Sequence, residues 1–396
     1  MRYRTDLKSD NKLSALGFGC MRLPRGLNGK VDIDKTEILI KTAVENGVNY
    51  FDTAYIYGGS EQALGEVFKR NKGMREKIYI ATKLPYYMCK SYEDFDRLFN
   101  EQTAHLNTGY IDYYLIHNLP ALASWNGLCE RGIEKWISEK KAQGKIGRIG
   151  YSFHGIQSEF ISLLSAYDWD FCQIQYNYMN ENYQAGTKGL NAAFNKGLPV
   201  IIMEPLLGGK LATGLPQKAV DIFKAANPQI SNAAWAFKWL LNHEAVTVIL
   251  SGMNSLEQLN DNIKTADTQG TNELTKDELA AVSQVVEIVK SAYKIPCTGC
   301  NYCLPCPKGV NIPGSFSAYN MSYSLGFMPG ILQYITSISG FSKKVNFSPK
   351  NCVKCKQCEK RCPQHIEITT ELEAVLKRME PFWLRWAMKL FDKVRS

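Results

Sequence analysis

The 396 residues predict an α/β chain: a (β/α)8 barrel, then a small α+β module, then a C-terminal helix. Three observations predict it. Short β-branched and aromatic runs alternate with segments of helical period over residues 13–252, the pattern of a parallel sheet that closes on itself. A barrel of this kind uses about 250 residues, so a second unit must account for the rest. Finally, most of the 12 cysteines fall in two runs within the last hundred residues. The expected division is a barrel over 1–270, a linking helix over 271–294, the cysteine-rich module over 295–370 and an amphipathic helix over 371–396.

Eight strands are expected, at 13–24, 49–58, 77–83, 112–118, 147–154, 171–179, 198–209 and 245–252. Helical spacing fills the gaps: 35–47 stops at Gly47, 60–70 opens on Ser60 as an N-cap, and 92–106 and 128–144 follow the third and fourth strands. The Gly17-x-Gly19 pair in the first strand lacks the third glycine of a dinucleotide fingerprint, so no Rossmann unit is expected. Residues 275–293 read as an amphipathic helix whose Thr275 and Glu278 form a capping box.

Hydrophobic content of 45% is ordinary for a globular chain, and nowhere do 18 apolar residues run uninterrupted. The first residues carry no apolar leader, so the expected location is cytoplasmic, where 12 cysteines argue for metal or redox chemistry over disulfides. The formal charge is +9, but from Cys297 onward 14 Lys and Arg face 6 Asp and Glu, which leaves about +1 for the barrel. A nucleic-acid partner is not expected. An acidic partner or compensation of an anionic metal cluster would each explain the basic tail.

In such a barrel, side chains at the carboxyl ends of the strands face the pocket where chemistry occurs. Three strands end in ionisable groups: Asp52, Lys83 and His117, with Tyr57 in the loop after Asp52. In order and spacing, these four resemble the catalytic tetrad of the aldo-keto reductases. The resemblance implies a TIM barrel that moves hydride between NADP(H) or NAD(H) and a small carbonyl or alcohol. Tyr57 would be the general acid and base, Lys83 paired with Asp52 would favour its ionised form, and His117 would orient the carbonyl.

Two later segments suit a phosphate by their own chemistry. Residues 204–211 place Pro205, Leu206, Gly208 and Gly209 after a strand with free backbone amides, and 251–262 run from a strand into a helix N-terminus. The resemblance gives these segments the nucleotide phosphates, through Ser251, Gly252, Asn254, Gln258 and Asn262. It also gives Gln175 and Ser152 the nicotinamide carboxamide, and it puts Tyr176 beside the ring. Two departures stand out. The chain has Ser152-Phe153-His154 where many members have Ser-Asn, and Gln258 where some carry an Arg for a 2′-phosphate, so NADP(H) and NAD(H) both stay open. Tyr55, Tyr86, Tyr87 and Trp125, just past strand ends, are candidates for substrate contact or for ordinary packing.

The cysteine runs are C-x2-C-x2-C-x2-C-P at Cys297, Cys300, Cys303 and Cys306, and C-x2-C-x2-C-x3-C-P at Cys352, Cys355, Cys358 and Cys362. The second is the bacterial ferredoxin spacing, in which the Cys before Pro serves the other cluster. Carried over, it implies two 4Fe-4S clusters, one on Cys297, Cys300, Cys303 and Cys362, the other on Cys352, Cys355, Cys358 and Cys306. The first run is one residue short of that pattern, and zinc is the alternative that four thiolates also allow. Cys20, Cys89, Cys129 and Cys172 lack such spacing.

Residues 311–341 carry no charge, yet their Pro, Gly and Ser content argues for packed helices over a membrane span. At the C-terminus, Trp383, Ala387, Leu390, Phe391 and Val394 share one helical face and Arg385, Lys389 and Lys393 another, a helix expected to dock on its own protein more readily than on a membrane surface. The whole chain thus resembles an iron-sulfur subgroup of aldo-keto reductases. Three readings follow: a carbonyl reductase whose clusters exchange electrons with an external carrier such as ferredoxin, an electron-transfer protein whose barrel holds a flavin, or a reductase whose clusters are structural or redox-sensing. No flavin motif is legible, and an intact tetrad favours the first over the second.

Overall fold

The structure is a computed structural model and describes residues 1–297, 299, 301–339, 346–362 and 364–381. The chain opens with a two-stranded hairpin, β1 (Tyr3–Thr5) and β2 (Lys12–Ser14). Eight parallel strands then close a barrel: β3 (Leu16–Gly19), β4 (Tyr50–Asp52), β5 (Tyr79–Leu84), β6 (Ile111–Ile116), β7 (Ile146–Phe153), β8 (Phe171–Gln175), β9 (Val200–Met203) and β10 (Val248–Ser251), with β10 pairing β3. Around it run α1 (Ile33–Glu45), α2 (Ser60–Arg70), α3 (Tyr92–His105), α4 (Leu122–Cys129), α5 (Ile133–Ala142), α6 (Gln157–Leu164), α7 (Gly186–Asn195), α8 (Lys210–Thr213), α9 (Gln217–Ala226), α10 (Asn232–Leu241) and α11 (Leu256–Thr268).

The barrel's interior is small and aromatic. Tyr50, Tyr113 and Phe171 meet edge-on there, with Leu13, Ala81, Leu115, Ile201, Val248 and Leu250 around them. Gly17 makes room for them, since a Cβ at that position would lie 2.7 Å from the Val248 side chain. The intervening residues Phe51, Tyr114 and Tyr151 point outward into the larger layer between strands and helices. This alternation decides what faces the pocket, because the inward phase of each strand continues to its carboxyl end.

Several expected boundaries shift, each for a local reason. The first expected strand is divided between β2 and β3. Ser60 does not cap α2: Gly59, at φ 83°, holds that position, and the Ser60 hydroxyl instead reaches Thr53 and the Cys20 carbonyl. Gly132, at φ 86°, separates α4 from α5, where one helix was expected over 128–144. Helix α12 (Lys276–Lys290) does have its capping box, and its Val282, Val285, Val286 and Val289 pack into the barrel's outer layer.

The C-terminal part has its own core. Helices α13 (Ile312–Ser324) and α14 (Phe327–Ser339) form a pair, and the short α15 (Gln357–Lys360) and α16 (Ile368–Met379) follow the second cysteine run. Ile312, Phe316, Tyr334, Ile368, Leu372 and Val375 are buried there beside Cys303 and Cys358. Met321 and Leu325 of α13 join the barrel's layer, so the two parts share packing. The amphipathic face of 382–396 lies outside the described residues. Among the described residues, no helix is long and apolar enough to cross a membrane.

Candidate active site

Tyr50 and Ala81 point into the barrel, and Tyr113 and Leu115 do the same on β6. Two residues further along each strand, the same phase brings Asp52, Lys83 and His117 to the rim. Lys83 Nζ donates to Asp52 Oδ1 at 2.6 Å and to the Thr53 carbonyl at 2.7 Å, with both side chains almost fully buried. The ammonium lies over the Tyr57 ring, 4.9 Å from its centre, and the two groups feel each other's charge. Edge-on to that ring stands the His117 imidazole, 6.1 Å away between centres. The four side chains thus form one cluster.

Burial opposes the Lys83 charge, but Asp52 and Tyr57 outweigh it and hold the ammonium above its ordinary pKa. Burial pushes Asp52 up as well, against the pull of Lys83. The short contact, with Gln173 beside the carboxylate, favours the ion pair. His117 is driven well below its usual value by burial, then by Lys83 and His154, so the imidazole is neutral and can donate one N–H. Tyr57 differs from expectation. Burial raises its phenol above 10, Lys83 pulls it down, and Asp52 pushes it back up, so the net direction is upward. Asp52 offsets the cation it positions.

Behind the rim, buried Glu61 accepts from Thr82 at 2.6 Å and from Gln102 Nε2 at 2.8 Å, and the same amide reaches the Lys83 carbonyl. This network braces β5 from its outer side.

The remaining rim residues are distributed as follows. Gln175 is fully buried, and neither atom of its carboxamide has a hydrogen-bond partner. Ser152 accepts from the Asn118 amide at 2.7 Å, whereas Phe153 points outward against Phe160. Tyr176 packs on Trp239 and bonds Thr187. After β9, Glu204, Leu207, Gly208 and Gly209 all have positive φ, and the turn beyond Pro205 and Leu206 already bonds the Leu207, Gly209 and Lys210 amides to the Glu204, Leu206 and Leu207 carbonyls. After β10, Ser251 accepts from Asn262 at 3.0 Å, and the Gln258 side chain folds back to accept from the Asn254 amide.

The aromatic candidates separate. Tyr55 bonds Glu101 at 2.7 Å, and Tyr86 stands edge-on to Tyr87 just after β5. Trp125 is 1% exposed and packs on Tyr167 and Trp169, so its ring is part of the core and not of a pocket wall.

Three residues at the rim escaped the sequence reading. Arg22 donates to the Gly208 carbonyl at 2.9 Å, and its aliphatic stem passes against Gly252, so one side chain bridges both phosphate-suited turns with its guanidinium at the first. His154 adjoins Gln184 and feels the charge of Glu204. Of these, Glu204 had a legible signal, an acid directly after a strand.

In the C-terminal part, one space of about 320 Å³ is lined by Cys297, Cys303 and Cys362, and another of about 290 Å³ by Cys306, Cys352, Cys355 and Cys358. Each draws on both cysteine runs. Cys300 lies outside the described residues. Among the described residues, no three Cys, His, Asp or Glu converge on one point. Cys20, Cys89 and Cys172 are buried apart from these spaces, and Cys129 is half-buried.

Residues 15–287 match the aldo/keto reductase family, and 296–367 match the 4Fe-4S dicluster domain. Curated relatives include 6-dehydroglucose reductase of Novosphingobium aromaticivorans, 27% identical over 61% of this chain and 82% of that protein. Methylglyoxal reductase YeaE of Escherichia coli is also 27% identical, over 61% and 81%. Among solved structures, an aldo-keto reductase from Klebsiella pneumoniae in complex with NADPH shares the fold at TM-score 0.60 and 22% identity, covering 72% of this chain and 95% of that one. With the family matched across most of its length, the chain belongs to the aldo/keto reductases and continues into a 4Fe-4S dicluster domain.

Proposed function

We propose that the barrel reduces a small carbonyl, or oxidises the corresponding alcohol, by hydride transfer with NADP(H), and that Asp52, Tyr57, Lys83 and His117 carry the chemistry. The convergence of these four side chains at one end of the barrel is the observation that carries the reading. The nucleotide supplies the hydride when bound. His117, neutral, donates to the carbonyl oxygen and orients it, and Tyr57 delivers a proton to that oxygen as negative charge develops. Lys83, anchored by Asp52 and the Thr53 carbonyl, points a fixed positive charge at the same oxygen.

The residues present fit a nicotinamide nucleotide. The buried, unpartnered Gln175 carboxamide matches a second carboxamide in donors and acceptors. Ser152 lies on the neighbouring strand β7, whereas the Tyr176 ring packs outward on Trp239 and bonds Thr187. The positive-φ turn after β9, with Ser251 to Asn262 after β10, suits the phosphates, and Arg22 adds a positive charge at the first of these turns. Arg22→Ala is expected to weaken NADPH binding about tenfold or more, in line with the loss of a charge-assisted phosphate contact. Fluorescence titration with NADPH and NADH checks it, and an unchanged affinity for both would remove Arg22 from the site.

Two 4Fe-4S clusters on crossed ligand sets are the proposed occupants of the C-terminal part, exchanging single electrons with an external carrier. The grouping of Cys306 with Cys352, Cys355 and Cys358 supports the crossing. It makes a distinctive prediction. Cys306→Ser/Cys355→Ser touches both runs but only one crossed set, so about half of the iron is retained; if each run held its own cluster, both would be damaged. Anaerobic iron analysis with EPR of the reduced protein separates the two.

A further inference from the structure

The two cysteine runs differ in charge and in what surrounds them. From Cys297 to Pro307 the first run carries no charged residue. Its Gly299, at φ 70°, is backed against the barrel: a Cβ there would lie 3.2 Å from the Asn182 side chain, in the loop between β8 and α7. That loop also brings Gln184 beside His154 at the catalytic rim. The first cavity therefore sits on the barrel's catalytic face.

The second run looks outward. From Cys352 to Cys362 it holds Lys354, Lys356, Lys360 and Arg361 against Glu359. Cys355 is exposed, as is Val353 at 58%. Lys354 is paired with Glu373, and Lys350 nearby with Glu380. Glu359 is turned inward, accepting from the Thr369 amide and hydroxyl at 2.8 and 2.7 Å. Lys356, Lys360 and Arg361, with Lys308 on the rim of the same cavity, are exposed and make no ion pair among the described residues. Lys308 and Lys356 thus line the cavity that has an exposed thiol, with Lys360 and Arg361 further along the same run.

We infer that this basic collar is the docking surface for an acidic one-electron carrier protein of ferredoxin type, which makes the second cluster the entry point and the first the inner station beside the barrel. The inference rests on the proposed cluster occupancy. In the step it describes, the carrier loses one electron and is oxidised, the second cluster gains that electron, and no bond or proton moves. Opposite charges on the two surfaces raise the encounter rate and make it fall with ionic strength. An uncharged donor feels no such field.

The test uses the full chain with its clusters, prepared anaerobically as wild type, Lys308→Glu/Lys356→Glu and the milder Lys308→Gln/Lys356→Gln. Cluster bleaching is followed by stopped flow with two donors, a reduced acidic bacterial ferredoxin and photoreduced deazariboflavin. Binding of oxidised ferredoxin is measured by calorimetry. The expected result is that charge reversal slows reduction by ferredoxin about tenfold or more at low salt and weakens its binding, that the Gln pair falls between, and that the rate with deazariboflavin is unchanged. Equal slowing with both donors would mean that these cations only compensate the cluster, and would overturn the proposal. So would ferredoxin reduction that is indifferent to salt, or none at all while deazariboflavin bleaches the clusters. A chain with no iron-sulfur absorbance would instead remove the cluster reading beneath it.

Discussion

Tyr57→Phe lowers turnover by about two to four orders of magnitude, the usual contribution of a positioned general acid, while NADPH binds as before. The phenyl ring keeps its place between Lys83 and His117 and loses only the hydroxyl. Steady-state kinetics beside a nucleotide titration checks this, and parallel losses in both would make Tyr57 structural. The pH dependence follows from the same residue. Reduction needs the protonated phenol, and because burial holds its pKa above the ordinary value, the reductive rate stays level through neutral pH into the alkaline range. Alcohol oxidation needs the phenolate, so it climbs with pH over that range. A Tyr57 shifted below its usual pKa would reverse this, with reduction failing first.

Lys83→Met produces the largest loss of stability expected of a single substitution at this site. Asp52 is 3% exposed, and without its partner it becomes an uncompensated buried charge, at a cost of about 3–5 kcal/mol. Activity disappears as well, because the cation facing the reacting oxygen is gone. The double change Asp52→Asn/Lys83→Met separates the two effects, since it regains most of the stability and none of the activity. Denaturant unfolding of the three variants provides the comparison. A double variant no more stable than Lys83→Met would show that the pair does not carry this energy.

These residues were legible because strand geometry has a period of two. Once Asp52, Lys83 and His117 stand at the ends of β4, β5 and β6, their phase relative to Tyr50, Ala81 and Tyr113 brings them to one rim. The eight-stranded barrel was legible for the same reason, in that each run carries its own pattern. What local pattern does not encode was missed. Arg22 meets Gly208 across 186 residues, a pairing created only by closure of β3 against β10. An aromatic residue just past a strand end reads the same whether it lines a pocket or packs beneath a helix, and Trp125 does the latter. The N-terminal hairpin has strands of three residues each, too short to show alternation. The Tyr57 phenol shifts opposite to expectation because burial is the largest influence on it, and Asp52 works against the lowering by Lys83.

The proposed hydride site and a 4Fe-4S dicluster domain on one chain leave two routes by which a carbonyl could be reduced, and isotope labelling tells them apart. The decisive measurement is anaerobic turnover of a simple aldehyde with NADPH deuterated at both C4 positions, followed by mass spectrometry and NMR of the alcohol. Direct hydride transfer at the Tyr57 site predicts one deuterium on the carbinol carbon in every product molecule. An alcohol formed without the label, its hydrogen drawn from solvent, would mean that the electrons arrive by another path, and would contradict the assignment of Asp52, Tyr57, Lys83 and His117 to hydride chemistry.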